Sequence, residues 1–151
     1  MDNVLINAHS ILRWAVLLFG VYAITKSARG LMKNQEYTPN HNMSATLFIA
    51  SVHLQALLGL LLYVARGWAG NFSKMGEIMG NTTARFWTVE HLFGMILAVV
   101  LIQVGRTKSK KATEAARKHK IAFIFFSIGM FLILAMIPWP FRTEIARSLW
   151  P

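Results

Sequence analysis

Residues 44–65 read SATLFIASVHLQALLGLLLYVA, an apolar run of 22 residues without a lysine, arginine, aspartate or glutamate. An α-helix of about 20 such residues crosses a hydrocarbon core of about 30 Å, because each residue adds about 1.5 Å along the helix axis. Three further runs of this kind are present, at about residues 4–25, 86–105 and 121–137. The sequence therefore predicts an all-α protein, an integral membrane four-helix bundle.

The composition supports one membrane domain over residues 1–151. Hydrophobic residues make up 55% of the chain, and the mean hydropathy is +0.45. Cysteine is absent, which excludes disulfides, thiolate metal sites, iron–sulfur clusters and covalently attached haem. The net charge is +10, and the cations lie in short connections beside apolar spans. Anionic membrane lipids are therefore the expected partner. No nucleic-acid-binding motif is present, so we expect no nucleic-acid partner.

Positive charge is distributed unevenly between the two ends of the predicted bundle. Ten of the 16 lysines and arginines lie in or beside the first and third connections, and six lie towards the other end. Connections rich in lysine and arginine stay in the cytoplasm, so we expect both termini on the outer, periplasmic side. The N-terminus lacks a basic segment and a small-residue cleavage site, so we expect the first span to be retained. The five tryptophans all lie towards the side of the termini: Trp14, Trp68, Trp87, Trp139 and Trp150.

Three histidines lie within the predicted spans, where an imidazole is costly unless a ligand, a metal or a hydrogen-bond partner compensates it. His9 and His91 lie about one and a half helical turns from the outer ends of spans one and three, and His53 lies near the middle of span two. Two neutral imidazoles from different helices suit the iron of haem b. His9 and His91 are the preferred axial pair, with His53 as the substitute for His9.

The face of span three next to His91 is lined by small residues. They leave space for a porphyrin ring, and they are equally well explained by close helix packing in lipid; they are Gly94, Ala98 and Gly105.

Two charged residues also fall inside the predicted spans. We expect Glu90 to form an ion pair with Arg13 that links spans one and three, because unpaired charges in lipid are costly. Arg13 follows His9 at i+4 on the same helix face, so it is also placed to bind an anionic group such as a haem propionate. Gln55 is expected to form a hydrogen bond across the bundle.

The remaining histidines are weaker candidates. His119 lies between Lys118 and Lys120, so we expect a solvated or headgroup-facing side chain and a less favoured ligand. His41 is expected in the polar first connection.

Local signals set the expected helix ends. Ser44 is the expected cap of span two and Asn81 of span three, and Pro138 is expected to stop span four. We expect span four to begin as an exposed helix over 113–120, the loop 67–85 to be partly helical, and 143–150 to form a short interfacial helix. No nucleophile elbow, P-loop or His-Glu-x-x-His motif is present, so the sequence carries no catalytic signature.

The chain resembles a group of small bacterial four-helix membrane proteins labelled cytochrome b-like. The resemblance lies in one patch per helix, in the order His9 to Trp14, His53 to Gln55, Phe86 with Glu90-His91, Lys118 to Lys120 and Ile137 to Arg142. It implies a multi-pass protein of the bacterial cytoplasmic membrane that binds haem b and transfers electrons within or beside a respiratory complex. It also implies that His9, His53, His91 and His119, with Arg13, are the functional residues.

Two alternatives remain open. In the first, we expect the chain to be a non-catalytic accessory subunit that packs against larger subunits without a cofactor. In the second, His9, His53 and His91 form a metal or proton conduit, because imidazole titrates near neutrality.

Overall fold

A computed structural model describes residues 2–148 and 150, and within these the regular secondary structure is helical. A 3₁₀ segment, Trp68–Lys74, follows the second helix, and a π-helical segment, Phe86–Glu90, precedes the fifth. The helices in chain order are α1 Asp2–Met32, α2 Pro39–Ala65, α3 Met75–Met79, α4 Thr82–Arg85, α5 His91–Lys111 and α6 Ala115–Met136.

Four helical stretches are long and apolar enough to cross a membrane, as the sequence predicted. They comprise 30, 27, 30 and 22 residues and are Asn3–Met32, Pro39–Ala65, Thr82–Lys111 and Ala115–Met136. Each exceeds the length of about 20 residues that spans a hydrocarbon core. The first two continue beyond the apolar runs into polar sequence. The fold is therefore an all-α bundle with four candidate spans, which indicates a multi-pass membrane protein.

The helix ends agree with the expectations only in part. α2 begins at Pro39, capped by Thr38, whose hydroxyl lies 2.8 Å from Nδ1 of His41. The expected cap at Ser44 is therefore wrong: that hydroxyl donates to the carbonyl of His41 inside the helix, at 2.8 Å. Asn81 caps α4 as expected, accepting from the amide of Ala84 at 2.8 Å.

Two of three further predictions about helical segments are confirmed, and the third is wrong. α6 ends at Met136, just before Pro138, as predicted. The loop 67–85 is partly helical, also as predicted. Residues 143–145 form a turn and 146–148 have no regular secondary structure, so the helix expected there is wrong for the described residues. Trp150 instead stacks on Trp14, with ring centroids 5.3 Å apart.

The four long helices form a ring in the order α2, α1, α6, α5. α1 packs against α2 and α6, and α5 packs against α6, whereas the contact between α2 and α5 is less extensive. α1 and α5 are therefore diagonal partners, and so are α2 and α6. In the centre, Phe48 of α2 and Phe126 of α6 meet edge to face with centroids 5.4 Å apart, and both are fully buried.

Glycines allow the helices to approach closely. A Cβ at Gly129 of α6 would overlap the side chain of Ile102 of α5, and a Cβ at Gly20 of α1 would overlap Met130. Close approach matters in lipid because van der Waals packing, rather than water exclusion, holds membrane helices together. These glycines therefore set the helix spacing.

The small residues next to His91 have the same packing role. Gly94 lies against Met136, Gly105 lies against Phe125, and Ala98 is fully buried. This face of α5 is covered by α6, so of the two explanations open for it, close helix packing is the one that the structure supports.

The two ends of the bundle differ in composition. The end that carries the chain termini and the loop 67–85 is here called the tryptophan end. The end that carries the connections after α1 and after α5 is called the basic end, because ten lysines and arginines lie there.

Replacing Gly129 by leucine is expected to destabilise the bundle, because the new side chain would displace Ile102 at the contact between α5 and α6. Overpacking of a close contact costs about 1–3 kcal/mol or more. Thermal unfolding in detergent, followed by circular dichroism, would show a lower Tm. Ile128→Leu is the matched control, since Ile128 is 47% exposed; an equal loss in both variants would contradict this packing.

Candidate functional site

The π-helical segment Phe86–Glu90 positions His91 at the tryptophan end. Within it, Thr88 is fully buried, and its carbonyl accepts a hydrogen bond from the hydroxyl of Tyr63 at 2.8 Å. The hydroxyl of Thr88 accepts a second bond, from the side-chain amide of Asn71, at 3.1 Å. A π-helical turn inserts an extra residue and leaves backbone groups without regular partners. Tyr63 of α2 and Asn71 of the following segment thus tie this turn to the rest of the bundle.

The same turn explains the ion pair of Glu90. Its carboxylate accepts from Nε of Arg85 at 2.7 Å, and Arg85 also donates to the carbonyl of Met79. Residues five apart come together in a π-helix, which closes i→i+5. The expected ion pair between Glu90 and Arg13 is therefore wrong: Glu90 pairs with Arg85, the last residue of α4.

His91 makes a hydrogen bond that orients its ring. Its Nδ1 lies 2.9 Å from the carbonyl oxygen of Met136, the last residue of α6. A carbonyl only accepts, so Nδ1 carries a hydrogen, and in the neutral form of the ring Nε2 keeps the lone pair. The rings of Phe86 and Trp87 flank the imidazole, with centroids 5.6 and 5.4 Å away. The imidazole of His91 is thus held in a fixed orientation inside the bundle.

The bond to Met136 also has a structural role. The last carbonyls of a helix lack partners within the helix. At the end of α6 three side chains supply them: Trp139 donates to Leu134, Arg142 to Ala135, and His91 to Met136. His91 is therefore part of a side-chain cap as well as a candidate ligand.

His9 of α1 lies between helices at the same end. Its ring packs on Gly59 of α2, where an added Cβ would stand 3.2 Å from Cε1. Gln55 donates to the backbone carbonyl of His9 at 3.0 Å, which confirms the predicted polar link across the bundle. Nδ1 of His9 and Oε1 of Gln55 are buried, and neither has a hydrogen-bond partner within residues 2–148 and 150. Such buried polar atoms normally have a partner, so this position has unused capacity to bind.

His9 of α1 and His91 of α5 belong to diagonal helices of the ring. Among the described residues, the ring of His91 contacts the rings of Phe86 and Trp87 and not that of His9. The structure brings these two candidates to the same end of the bundle.

The other candidates lie in different surroundings. His53 is exposed on the outer surface of α2 and does not join His9 and His91. Arg13 is partly buried, with its guanidinium over the ring of Trp14 at 5.7 Å.

A second cluster, missed by the sequence analysis, lies at the basic end. His119 is fully buried, and its Nε2 lies 3.1 Å from the carbonyl of Gln35. The ring of His41 meets it edge-on at 4.7 Å, and the ring of Tyr37 lies 5.0 Å from it. Gly30 provides the space, because a Cβ there would overlap the imidazole of His119. The expectations of a solvated His119 and a loop His41 are therefore wrong, and the cluster fastens the first connection to α6.

The two histidine pairs differ in what they can bind. No group of three or more His, Asp or Glu side chains is placed to hold a metal ion in the described residues. The imidazoles of His41 and His119 are in ring contact, which leaves no space between them for a planar group. The pair His9 and His91 retains a lone pair on one ring and an unpartnered nitrogen on the other.

No protein-family model, curated protein or solved structure matches this chain. The fold and the site together define a bundle of four candidate membrane spans with two interior histidines at one end.

Replacing His119 by alanine is expected to lower the free energy of unfolding by about 2–4 kcal/mol, because it empties a buried position and removes the bond to Gln35. Denaturant unfolding of the purified protein in detergent measures this. His53→Ala is the matched control, because His53 is exposed, and a change within about 0.5 kcal/mol is expected. Equal losses in the two variants would contradict the different burial of these histidines.

Proposed function

We propose that this chain is a membrane-embedded, cytochrome b-like subunit that binds haem b and passes electrons within or beside a respiratory complex. His91 and His9 are the residues that would hold its iron. The observation that carries the proposal is the bond from Nδ1 of His91 to the carbonyl of Met136, 2.9 Å long. It fixes the tautomer that leaves Nε2 for iron, as backbone carbonyls do for metal-ligating histidines.

The residues around His9 fit the second ligand position. Nδ1 of His9 is buried and has no partner in the described chain, and Gln55 holds the backbone of His9 from α2. α1 and α5 face each other across the bundle rather than side by side, so His9 and His91 would hold the cofactor from two different helices. Bound haem would supply a one-electron carrier, while the surrounding helices would exclude water from it.

Arg13 is the proposed cation for a haem propionate. It lies one turn from His9 on the same helix face. Arg13 would thus orient an anionic edge of the cofactor towards the tryptophan end.

A second candidate function is an accessory subunit that packs against larger membrane subunits and binds no cofactor. The observation that favours it is the exposed position of His53, in the middle of α2. An imidazole facing hydrocarbon is costly, so a protein partner on this face would relieve that cost. Gln103 of α5 is a second exposed polar residue within a candidate span.

The optical spectrum of the protein, purified after expression with haem supply, tests the first proposal. A Soret band and a sharp α-band on reduction are expected, because two imidazoles give low-spin iron. His91→Gln is expected to fold, since its amide can still donate to Met136, but to lose at least about tenfold in bound haem. His9→Ala should lose haem to a similar extent.

His53→Ala is the control and should keep the wild-type spectrum. A wild-type protein without a Soret band that co-purifies with larger subunits would replace the first proposal by the accessory one. Loss of haem in His53→Ala but not in His9→Ala would assign the second ligand to His53.

We further propose the bacterial cytoplasmic membrane as the location, with the basic end in the cytoplasm. The wild-type chain has no cysteine, so single cysteines report topology without background. Ser73 and Lys111 are exposed at opposite ends. A membrane-impermeant maleimide should label Ser73→Cys in spheroplasts and label Lys111→Cys only after lysis. The reverse pattern would overturn the proposed orientation.

A further inference from the structure

A groove at the basic end lies far from His9 and His91. It has a volume of about 620 Å³ and is open to one side, between the end of α1, the end of α5 and the start of α6. This volume is within the range of about 300–1,000 Å³ that is typical of sites for small molecules.

The part of the groove nearest the basic end is positively charged. Lys108, Arg117 and Lys120 line it, with Glu114 as the single carboxylate. Nζ of Lys108 lies over the ring of Phe125, 5.7 Å from its centroid, so the long side chain crosses towards α6. Three cations against one carboxylate favour an anion at this position.

The part of the groove towards the middle of the bundle is apolar. Ile121, Ile124 and Phe125 line it, and Ile124 is 41% exposed. The change from charge to apolar surface occurs between Lys120 and Ile121, where the apolar run of α6 begins. In a bilayer spanned by the apolar run of α6, the groove would cross the level at which lipid headgroups meet acyl chains.

We propose that this groove is a binding site for one anionic glycerophospholipid. The phosphate and headgroup lie among Lys108, Arg117 and Lys120, and the upper part of one acyl chain runs along Ile124 and Phe125. Basic pockets between membrane helices hold anionic headgroups in this way. A free phosphate would use the cations but not the apolar wall, so the two-part lining selects a lipid. The site is independent of the proposed haem, which lies at the other end.

Lipid retention measured by native mass spectrometry tests the site. The full-length protein is reconstituted in bilayers of phosphatidylglycerol and phosphatidylcholine in equal amounts, extracted, and analysed for bound lipid. We expect phosphatidylglycerol to be enriched by at least about tenfold over phosphatidylcholine, because each cation near a lipid surface strengthens binding severalfold.

Two triple variants with the same change in net charge separate the site from general attraction. Replacing Lys108, Arg117 and Lys120 by alanine should abolish the enrichment. Replacing Arg29, Lys33 and Lys111, which are exposed at the same end outside the groove, should leave it within about twofold. Equal losses in both triples would show diffuse electrostatics and overturn the site.

A third variant tests the apolar wall. Ile124→Gln should reduce retention of the lipid severalfold without affecting folding, since Ile124 is partly exposed. Glycerol phosphate, which carries the headgroup charge without acyl chains, should compete poorly. Unchanged retention in Ile124→Gln together with effective competition by glycerol phosphate would overturn the lipid in favour of a simple anion site.

Discussion

The close contact between α5 and α6 is the constraint on which the candidate site depends. Lipid gives membrane helices little reason to associate by water exclusion, so tight packing must hold them. Gly129 and Gly105 allow the two backbones to approach at successive turns. Only with the helices in this register does Met136 reach His91. The tautomer of His91, and hence its capacity as a ligand, is a consequence of helix packing.

The number and type of the long helices could be predicted because apolar runs of membrane length are a strong and local signal. The hydrogen bond from Gln55 across the bundle was also predictable from sequence, because a polar side chain inside a span is costly unless it is hydrogen-bonded. The exposure of His53 could have been anticipated from this link. Residues two apart on a helix point about 200° apart, so Gln55 facing α1 directs His53 away from the interior.

Other features required contacts that the sequence does not display. Glu90 pairs with Arg85 because a π-helical turn brings residues five apart together, and such turns have no clear local signal. His119 was expected to be solvated because lysines flank it. Neighbouring helix positions point in different directions, however, and of these three residues only His119 faces inward. Gly30, which makes room for its ring, had no recognisable partner in the sequence. The resemblance to cytochrome b-like proteins stays a prediction, since one helical bundle can serve many functions.

The side-chain cap at the end of α6 has a consequence for how the protein assembles. Carbonyls 134–136 receive donors from Trp139, Arg142 and His91. Two of these donors come from the chain that follows α6, and the third comes from α5. A nascent α6 alone would expose unsatisfied carbonyls to hydrocarbon, which is costly. Spans three and four are therefore best inserted together as a helical hairpin, with Trp139 and Arg142 completing the cap.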